Sequence, residues 1–353
     1  MANAITRAVE KTMNDGGGNR ALAVLLYLFS LVYSAGVAFR LFLYSRGILK
    51  KTKLRCPVIS IGNITVGGTG KTPMTIFLAR EIMERGKRAV ILTRGYGGRA
   101  RGIGVVSDGT KTLMKPDEAG DEPVLMANRL KGVPVIVGKD RVKAGLFAIE
   151  KFNPDVILLD DGFQHIRLER DLNIMLMDSS KGLGNGFLLP RGILREGASA
   201  MGRADFAMLK GVGSANMLPK GMPTVASVYR PISFSPLHGN GEIELKSLKN
   251  KRAVAVCAIA SPESFLATLE GLGVKIVKKI LRPDHHPYSY ADALEIKSAL
   301  SGADVVVTTE KDAVKFAMFL DASMPIYALK IDVELKDASA FKRLVGARMA
   351  GLF

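Results

Sequence analysis

A glycine-rich segment that ends in a lysine–threonine pair is the part of the chain best suited to chemistry. The apolar run Val58–Gly62 leads into Asn-Ile-Thr-Val-Gly-Gly-Thr-Gly-Lys-Thr, which ends at Thr72. A strand, a glycine-rich turn and a helix in this order surround phosphate oxygens with backbone N–H groups. The lysine then reaches the β- and γ-phosphates, and the hydroxyl binds Mg²⁺. The segment predicts a nucleotide-binding P-loop at residues Thr65, Val66, Gly67, Gly68, Thr69, Gly70, Lys71 and Thr72.

Single residues exclude two classes of P-loop protein. A GTPase reads guanine with Asn/Thr-Lys-x-Asp, whereas here Asp312 directly follows Lys311. A partitioning ATPase carries a lysine immediately before the two glycines, and Val66 occupies that place. Thr65 stands where the general P-loop pattern has its first glycine. A kinase is the favoured class, and an ordinary glycine-rich turn with a surface lysine is the alternative.

A second apolar run ends in two acids. Val156–Leu159 is followed by Asp160 and Asp161. A hydrophobic strand that ends in carboxylates is typical of the Mg²⁺ side of a P-loop site. Solvated acids in a loop are the alternative, but the P-loop upstream favours at least one of the pair near Mg²⁺.

Several basic residues follow these motifs. Arg94, Arg191 and Arg195 lie in glycine-containing loops, where guanidinium groups can clamp a phosphoryl group or an anionic substrate. A basic surface loop is the alternative. His165 follows the acidic pair, and His285 and His286 adjoin Asp284. Neighbouring side chains of an extended segment point to opposite sides, so a role in proton handling is favoured over a metal cluster.

The elements that position these residues alternate between apolar strands and helices. This alternation predicts an α/β fold with a parallel sheet, helices on both faces and chemistry at the carboxyl ends of the strands. Proline and glycine become more frequent between residues 211 and 251, which indicates an inter-domain connection or a β-hairpin. We predict an N-terminal membrane-associated helix in residues 1–45, a P-loop domain in 46–223 and a smaller α/β domain in 224–353.

Charge and hydropathy indicate a membrane surface. The net charge is +17, which favours a polyanionic partner, and tryptophan is absent, which disfavours single-stranded nucleic acid. Ala21–Phe39 has no charge over 19 residues, which is roughly 28 Å of helix. Six basic residues follow it and favour the cytoplasmic leaflet: Arg40, Arg46, Lys50, Lys51, Lys53 and Arg55. A spanning helix and an interfacial helix both remain open, and a buried core helix is the alternative. Two distant cysteines suit a reducing compartment, and Asn14–Asn19 is expected to be disordered.

Seven motifs in order resemble the tetraacyldisaccharide 4′-kinase family of lipid A biosynthesis. Between about Leu41 and Lys315 they read GNITVGGTGKTP, TRGYGG, GDEP, DDGFQH, LLPRGILRE, DHHPY and TTEKDAVK. The resemblance implies two P-loop-type α/β/α domains joined by a β-hairpin. It implies ATP-dependent phosphorylation of the 4′-hydroxyl of a tetraacylated glucosamine disaccharide 1-phosphate at the cytoplasmic face of a Gram-negative inner membrane. Thr65 is in keeping with this family.

The resemblance also implies roles for individual residues. Asp121 would take the hydroxyl proton with support from a histidine, His285 rather than His286, while Lys71 binds the transferring phosphoryl group. Mg²⁺ would be shared among Thr72, Glu122, Asp160 and Asp161. The substrate or phosphate clamp is expected at Arg94, His165, Arg191, Arg195 and Glu196. A membrane-anchored P-loop ATPase that couples hydrolysis to partner binding is the alternative function.

Overall fold

The computed structural model of the chain describes residues 9, 12–13, 19–211, 216–239, 241–316, 319–321 and 323–351. Of the segment expected to be disordered, residues 14–18 lie outside the described residues, and Asn19 accepts a hydrogen bond from the Ala21 N–H at the start of a helix. That helix, α1, covers Arg20–Ser45.

Two α/β units follow. The first consists of β1 Val58–Gly62, α2 Lys71–Glu84, β2 Ala89–Thr93, β3 Ile103–Ser107, α3 Pro116–Ala119, α4 Asp121–Arg129, β4 Val135–Gly138, α5 Arg141–Phe152, β5 Val156–Asp160, β6 Leu172–Asp178 and β7 Phe206–Lys210. The second consists of β8 Thr224–Pro236, β9 Arg252–Cys257, α6 Pro262–Gly271, β10 Lys275–Leu281, α7 Tyr290–Leu300, β11 Val305–Thr309, α8 Glu310–Phe316, β12 Ile326–Leu335 and α9 Ala338–Arg348.

The strands of the described residues form one sheet with the order β10-β9-β11-β12-β8-β7-β6-β1-β5-β2-β4-β3. Pairing is parallel except between β3 and β4 and between β8 and β12. Helices α2 and α4 cover one face of the first unit and α5 covers the other, so its central strands are buried on both sides. The predicted α/β fold with a mainly parallel sheet is confirmed.

The connection between the units differs in one respect from the predicted hairpin. Its two strands are antiparallel, with pairs from Tyr327 with Pro236 to Leu335 with Ser227. However, β8 enters the second unit and β12 leaves it, so the partners are separated by the whole of that unit. A change in composition marks such a connection in the sequence, but it does not identify the partner of each strand.

The chain returns to the first unit at its C-terminal end. In α9 the Phe341 ring lies 5.9 Å from Phe77 of α2 and 6.0 Å from Phe206 of β7. The last helix therefore completes the core of the first unit, although it follows the second unit in sequence. The domain boundaries stay predictions.

Helix α1 lies on the surface of the first unit. Only Leu26 and Ser30 of this helix are buried, and Val32 is 73% exposed. The alternative of a buried core helix is therefore wrong. Among the described residues, α1 alone is long and apolar enough to cross a membrane.

Candidate active site

A large cleft of about 1190 Å³ lies at the carboxyl ends of the central strands. Its walls come from the P-loop, α1, α4 and the ends of β2 and β5 in the first unit. The second unit contributes α6, α8 and the loop that carries His285. The cleft therefore joins sequence motifs that are more than 200 residues apart.

The P-loop is shaped by contacts from outside the loop. Gly70, which precedes α2, has a left-handed backbone with φ 85°, and a Cβ there would overlap the Tyr229 ring. The Tyr229 hydroxyl donates a hydrogen bond to the Gly70 carbonyl over 3.0 Å. Asn63 donates to the Thr69 hydroxyl over 2.8 Å. Position 70 thus requires glycine, because its backbone is left-handed and the Tyr229 ring leaves no room for a Cβ.

Lys71 faces an acid at the floor of the cleft. Its Nζ lies 3.7 Å from Oδ1 of Asp161, and Nη1 of Arg195 lies 2.9 Å from the other oxygen of the same carboxylate. Burial alone would raise the pKa of Asp161, but Lys71 and Arg195 outweigh it and lower that pKa. Asp161 is therefore held as a carboxylate between two cations.

Asp160 differs from Asp161 in its hydrogen-bond partners and in the direction of its pKa shift. Thr75 and Thr93 donate hydrogen bonds to its two oxygens over 3.1 and 3.2 Å. Burial, followed by repulsion from Glu122 and Asp161, raises the pKa of Asp160 above its ordinary value. A buried carboxylate so disfavoured as an anion fits a position beside a divalent cation, which would remove the repulsion.

These acids fit Mg²⁺ that is also coordinated by nucleotide phosphates. Among the described residues, no three or more His, Cys, Asp or Glu side chains converge as a metal cage. Mg²⁺ is commonly held by one or two carboxylates, with phosphates and water as its other ligands. Thr72, at the start of α2, lines the same cleft as these acids, and its role as a metal ligand stays a prediction.

At the other end of the cleft, His285 and Lys311 line the wall, and a buried carboxylate lies directly behind them. Asp121, at the start of α4, is 5% exposed. Its Oδ2 lies 3.2 Å from Nδ1 of His285, 3.4 Å from Nζ of Lys315 and 3.9 Å from Nζ of Lys311. Burial raises its pKa, but His285 and the two lysines lower it to about 2. Asp121 is thus a carboxylate at neutral pH.

His285 is fixed on several sides. Its backbone has φ 60°, a strained conformation for a residue with a Cβ. Its ring meets the Tyr96 ring edge-on at 4.9 Å, and Nζ of Lys311 lies 3.1 Å from Nε2. The contact with Asp121 raises the pKa of His285, although burial and Lys311 act against it. These contacts assign Nδ1–H to Asp121 and make Nε2 an acceptor of the Lys311 proton.

The neighbouring histidine has a structural position. Nε2 of His286 lies 3.2 Å from both oxygens of Asp292, at the start of α7, and its ring packs against Tyr288. The structure therefore brings His285, and not His286, to Asp121. This agrees with the preference for His285 that the motif resemblance implied.

Three of the expected clamp residues lie at the cleft and two do not. Arg94, His165 and Arg195 line it, and burial together with Arg141 lowers the pKa of His165 to about 4. Arg191 instead donates to the Thr12 carbonyl over 2.9 Å.

Glu196 is fully buried and forms ion pairs with Arg40 of α1 and with Arg203. Its surroundings are a structural ion-pair cluster, which a motif in the sequence does not distinguish from a substrate clamp. Neither Glu196 nor Arg191 contributes to the lining of the cleft.

Sequence reasoning did not assign roles to several residues of the site. Lys311 and Lys315 are spaced four apart, so in a helix they share the face that meets Asp121. That spacing was visible in the sequence. Tyr229 and Arg141 also line the cleft, but they come from a strand and a helix start without any motif.

A glycine-rich loop between β1 and α2, with acids at the end of β5, defines a P-loop nucleotide-binding protein. Beyond the opposite wall of the cleft, the buried carboxylate of Asp121 contacts His285, Lys311 and Lys315. Comparison with known proteins then gives the family. A family model described as tetraacyldisaccharide-1-P 4′-kinase matches residues 22–350, and the chain belongs to this family.

Individual relatives of the chain carry the same name as the family model. The tetraacyldisaccharide 4′-kinase of Syntrophus aciditrophicus is 42% identical over 344 residues, which cover 92% of each chain. That of Geobacter sulfurreducens is 41% identical over 325 residues, which cover 91% of this chain and 92% of the relative. A crystal structure of LpxK from Aquifex aeolicus in complex with ATP has a TM-score of 0.78 and 34% identity, and the match covers 92% of this chain and 99% of that one. The family resemblance predicted from the motifs is confirmed.

Proposed function

We propose that this protein transfers the γ-phosphoryl group of ATP to the 4′-hydroxyl of a tetraacylated glucosamine disaccharide 1-phosphate, a step of lipid A biosynthesis. The observation that carries the proposal is one cleft lined by Lys71 and Asp161 at one end and by His285 at the other, where His285 contacts the buried carboxylate of Asp121 directly behind the wall. The family membership supports both the reaction and the acceptor.

The P-loop would hold the phosphates of ATP through its backbone N–H groups, and Lys71 would move from Asp161 to the β- and γ-phosphates. Mg²⁺ would be held by Thr72 with Asp160, Asp161 and Glu122, and when bound it offsets the negative charge of the transferring group. Arg195 would keep the Asp161 carboxylate in place when Lys71 turns to the phosphates.

Asp121 would act as the base. Its carboxylate accepts the proton of the acceptor hydroxyl as the oxygen attacks the γ-phosphorus and the bond to ADP breaks. A carboxylate with a pKa of about 2 is a weak base, so its proton transfer comes late in the reaction. His285 would orient this carboxylate through Nδ1–H, and Lys311 and Lys315 would keep it in the anionic form before it accepts the proton.

The acceptor would enter along α1. Gly36 and Val37 of this helix line the cleft, whose basic residues Arg94 and Arg195 suit the phosphate or sugar oxygens. Acyl chains would continue along the exposed apolar side of α1, which includes Phe29, Val32 and Phe39. The site would thus receive its substrate directly from the lipid phase.

The position of α1 and the basic segment that follows it support a location at the cytoplasmic face of the inner membrane. Contacts of α1 with the body run from Tyr27 to Arg40, so about 20 Å of the helix lies along the protein. A spanning orientation would draw the ion pair of Arg40 with Glu196 into hydrocarbon, where charges are costly. We therefore propose that α1 lies in the interface, with the basic segment of residues 46–55 against anionic lipid.

Phosphoryl transfer from radiolabelled ATP, with and without the acceptor lipid, tests the proposal. We expect label on the lipid only when the disaccharide carries a free 4′-hydroxyl, and an acceptor already phosphorylated there is the matched control. ATP hydrolysis that proceeds equally without acceptor, and no labelled lipid, would favour the coupled ATPase instead.

A further inference from the structure

The segment of residues 187–196, here called the clasp, lies between α1 and the P-loop. On its α1 side, the Ser30 hydroxyl donates to the Leu188 carbonyl over 2.9 Å. The Tyr33 hydroxyl donates to the Arg195 carbonyl over 3.0 Å. The clasp is therefore bonded to the membrane-associated helix at both of its ends.

On its other side the clasp is bonded to the nucleotide loop. The Val66 N–H donates to the Ile193 carbonyl over 2.8 Å, and the Arg195 N–H donates to the Ile64 carbonyl over 2.7 Å. The Arg195 side chain also holds Asp161. Arg195 thus makes three contacts. Its carbonyl bonds to Tyr33 of α1, and its N–H bonds to Ile64, which lies between β1 and the P-loop. Its guanidinium holds Asp161.

Glu196 strengthens the link to α1. It is fully buried, and its carboxylate lies 3.2 Å from Nη2 of Arg40 and also pairs with Arg203. A buried charge is strongly destabilising when its partner is withdrawn. The position of the clasp therefore depends on α1 keeping Arg40 in place.

The remaining surface of α1 is apolar and uncovered. Its exposed residues include Val24, Leu25, Leu28, Phe29, Leu31, Val32, Phe39 and Phe42. The exposed basic segment that follows the helix carries charge complementary to an anionic lipid surface. Lipid that covers this face would restrain α1 against the clasp.

We propose that the clasp couples an anionic lipid surface to the nucleotide site, with Tyr33 and Glu196 as positioning residues. When α1 lies in the interface, Tyr33 holds Arg195 and Arg40 holds Glu196. Arg195 in turn fixes Ile64, at the start of the P-loop segment, and the carboxylate of Asp161. Without lipid, α1 is less restrained and the loop binds nucleotide more weakly. The proposal rests on the membrane association proposed above, but it does not depend on the identity of the acceptor.

Hydrogen exchange and nucleotide binding test the coupling without any acceptor. The full chain is measured with and without vesicles of phosphatidylethanolamine and phosphatidylglycerol. We expect vesicles to slow exchange of the Val66 and Arg195 amides, whose hydrogen bonds join the clasp to the loop. The affinity for a fluorescent ATP analogue should rise by about fivefold, the scale of one neutral hydrogen bond.

Tyr33→Phe removes only the hydroxyl that bonds to Arg195, and Tyr27→Phe is its matched control. Tyr27 lies on the same helix, and its ring packs against Phe187, outside the cleft. We expect Tyr33→Phe to bind vesicles normally while losing both the amide protection and the gain in affinity. Tyr27→Phe should keep both.

Glu196→Gln tests the ion pair in the same way, with Glu150→Gln, at an exposed carboxylate outside the clasp and the cleft, as the control for a lost negative charge. Vesicle binding with full amide protection in both Tyr33→Phe and Glu196→Gln would overturn the coupling. So would wild-type protein that binds vesicles without any change in the loop amides. Failure to bind vesicles at all would overturn the coupling together with the membrane association, whereas failure of the kinase assignment would appear only in the radiolabel assay.

Discussion

The two ends of the cleft are built in different ways. The nucleotide end comes from one unit, in which residues 58–72 and the acids at the end of β5 lie on neighbouring strands. The base end combines Asp121 of the first unit with His285, Lys311 and Lys315 of the second. Backbone pairing within the sheet fixes the nucleotide end, whereas the base end depends on side-chain contacts between the two units.

The difference implies that the two ends can be disturbed separately. A change at the base end should lower turnover and leave ATP affinity nearly intact, because the P-loop does not require the second unit for most of its contacts. Tyr229 is the exception, since it belongs to β8 and bonds to the Gly70 carbonyl.

The largest effect is expected at the Asp121–His285 pair. Asp121→Ala and His285→Ala should each lower kcat by about 10²–10⁴-fold with little change in KM for ATP, because they remove the base or the group that orients it. The double variant should be little worse than the poorer single one, since the two side chains act as a unit. Steady-state kinetics with the lipid acceptor measures this.

His286→Ala is the matched control for that experiment, because His286 contacts Asp292 and not Asp121. A loss of turnover in His286→Ala that equals the loss in His285→Ala would transfer the catalytic role. Fully additive losses in the double variant would mean that Asp121 and His285 act independently.

The next largest effect belongs to the nucleotide end. Lys71→Ala removes a cation from the developing phosphoryl charge, which typically costs about 3–4 kcal/mol of transition-state stabilisation. We expect a fall of roughly several hundredfold in kcat/KM. Lys131→Ala, at an exposed lysine outside the cleft, should behave as wild type. Near-normal turnover in Lys71→Ala would remove the P-loop from the mechanism.

A buried ion pair joins the two units beside the base end. Nη1 of Arg129 lies 2.6 Å from Oε1 of Glu310, with the side chains 7% and 14% exposed. Arg129→Met should lower the free energy of unfolding by about 3 kcal/mol, because it leaves a buried carboxylate without its partner. Burial raises the pKa of Glu310 and Arg129 opposes that rise, so Glu310→Gln in the same chain should restore much of the loss. Urea unfolding of the single and double variants measures both.

Kinetics and ATP binding of the same variants test whether the two ends of the cleft are independent. Arg129→Met should reduce kcat more than it weakens ATP binding, because Glu310 begins α8, the helix that carries Lys311 and Lys315. Equal losses in both quantities would mean that the two ends are not independent.

The sequence was a good guide to the nucleotide end and a partial guide to the base end. A P-loop is local, so its residues, spacing and helix start can all be read from one segment. The partners of Asp121 come from two later segments, and the motif resemblance suggested His285 while the lysines went unassigned. Glu196 and Arg191 belong to a conspicuous motif, yet they hold α1 and the N-terminal region, because a buried ion pair and a substrate clamp use the same residue types.

The smallest effect is expected at a carboxylate that supports the base end from behind. Asp292 accepts hydrogen bonds from the Ser289 N–H over 2.9 Å and from Nε of Arg282 over 3.0 Å, and it also contacts His286. Together these contacts fix the turn that carries His285. Burial raises the pKa of Asp292, but Ser289, Arg282 and His286 lower it to about 2.

Since its folded-state pKa lies below the ordinary value, Asp292 contributes stability at pH above about 4, and that contribution is lost as the pH falls towards about 2. Asp292→Asn should therefore be less stable than wild type at neutral pH, and the difference should shrink in acid. Turnover should fall only a few-fold, with ATP affinity unchanged, because the turn is loosened and no reacting group is lost. Asp321→Asn, at a carboxylate that is 70% exposed, is the control for a lost charge. Urea unfolding from neutral pH into acid checks the sign, and a stability difference that grows as the pH falls would contradict the support assigned to Asp292.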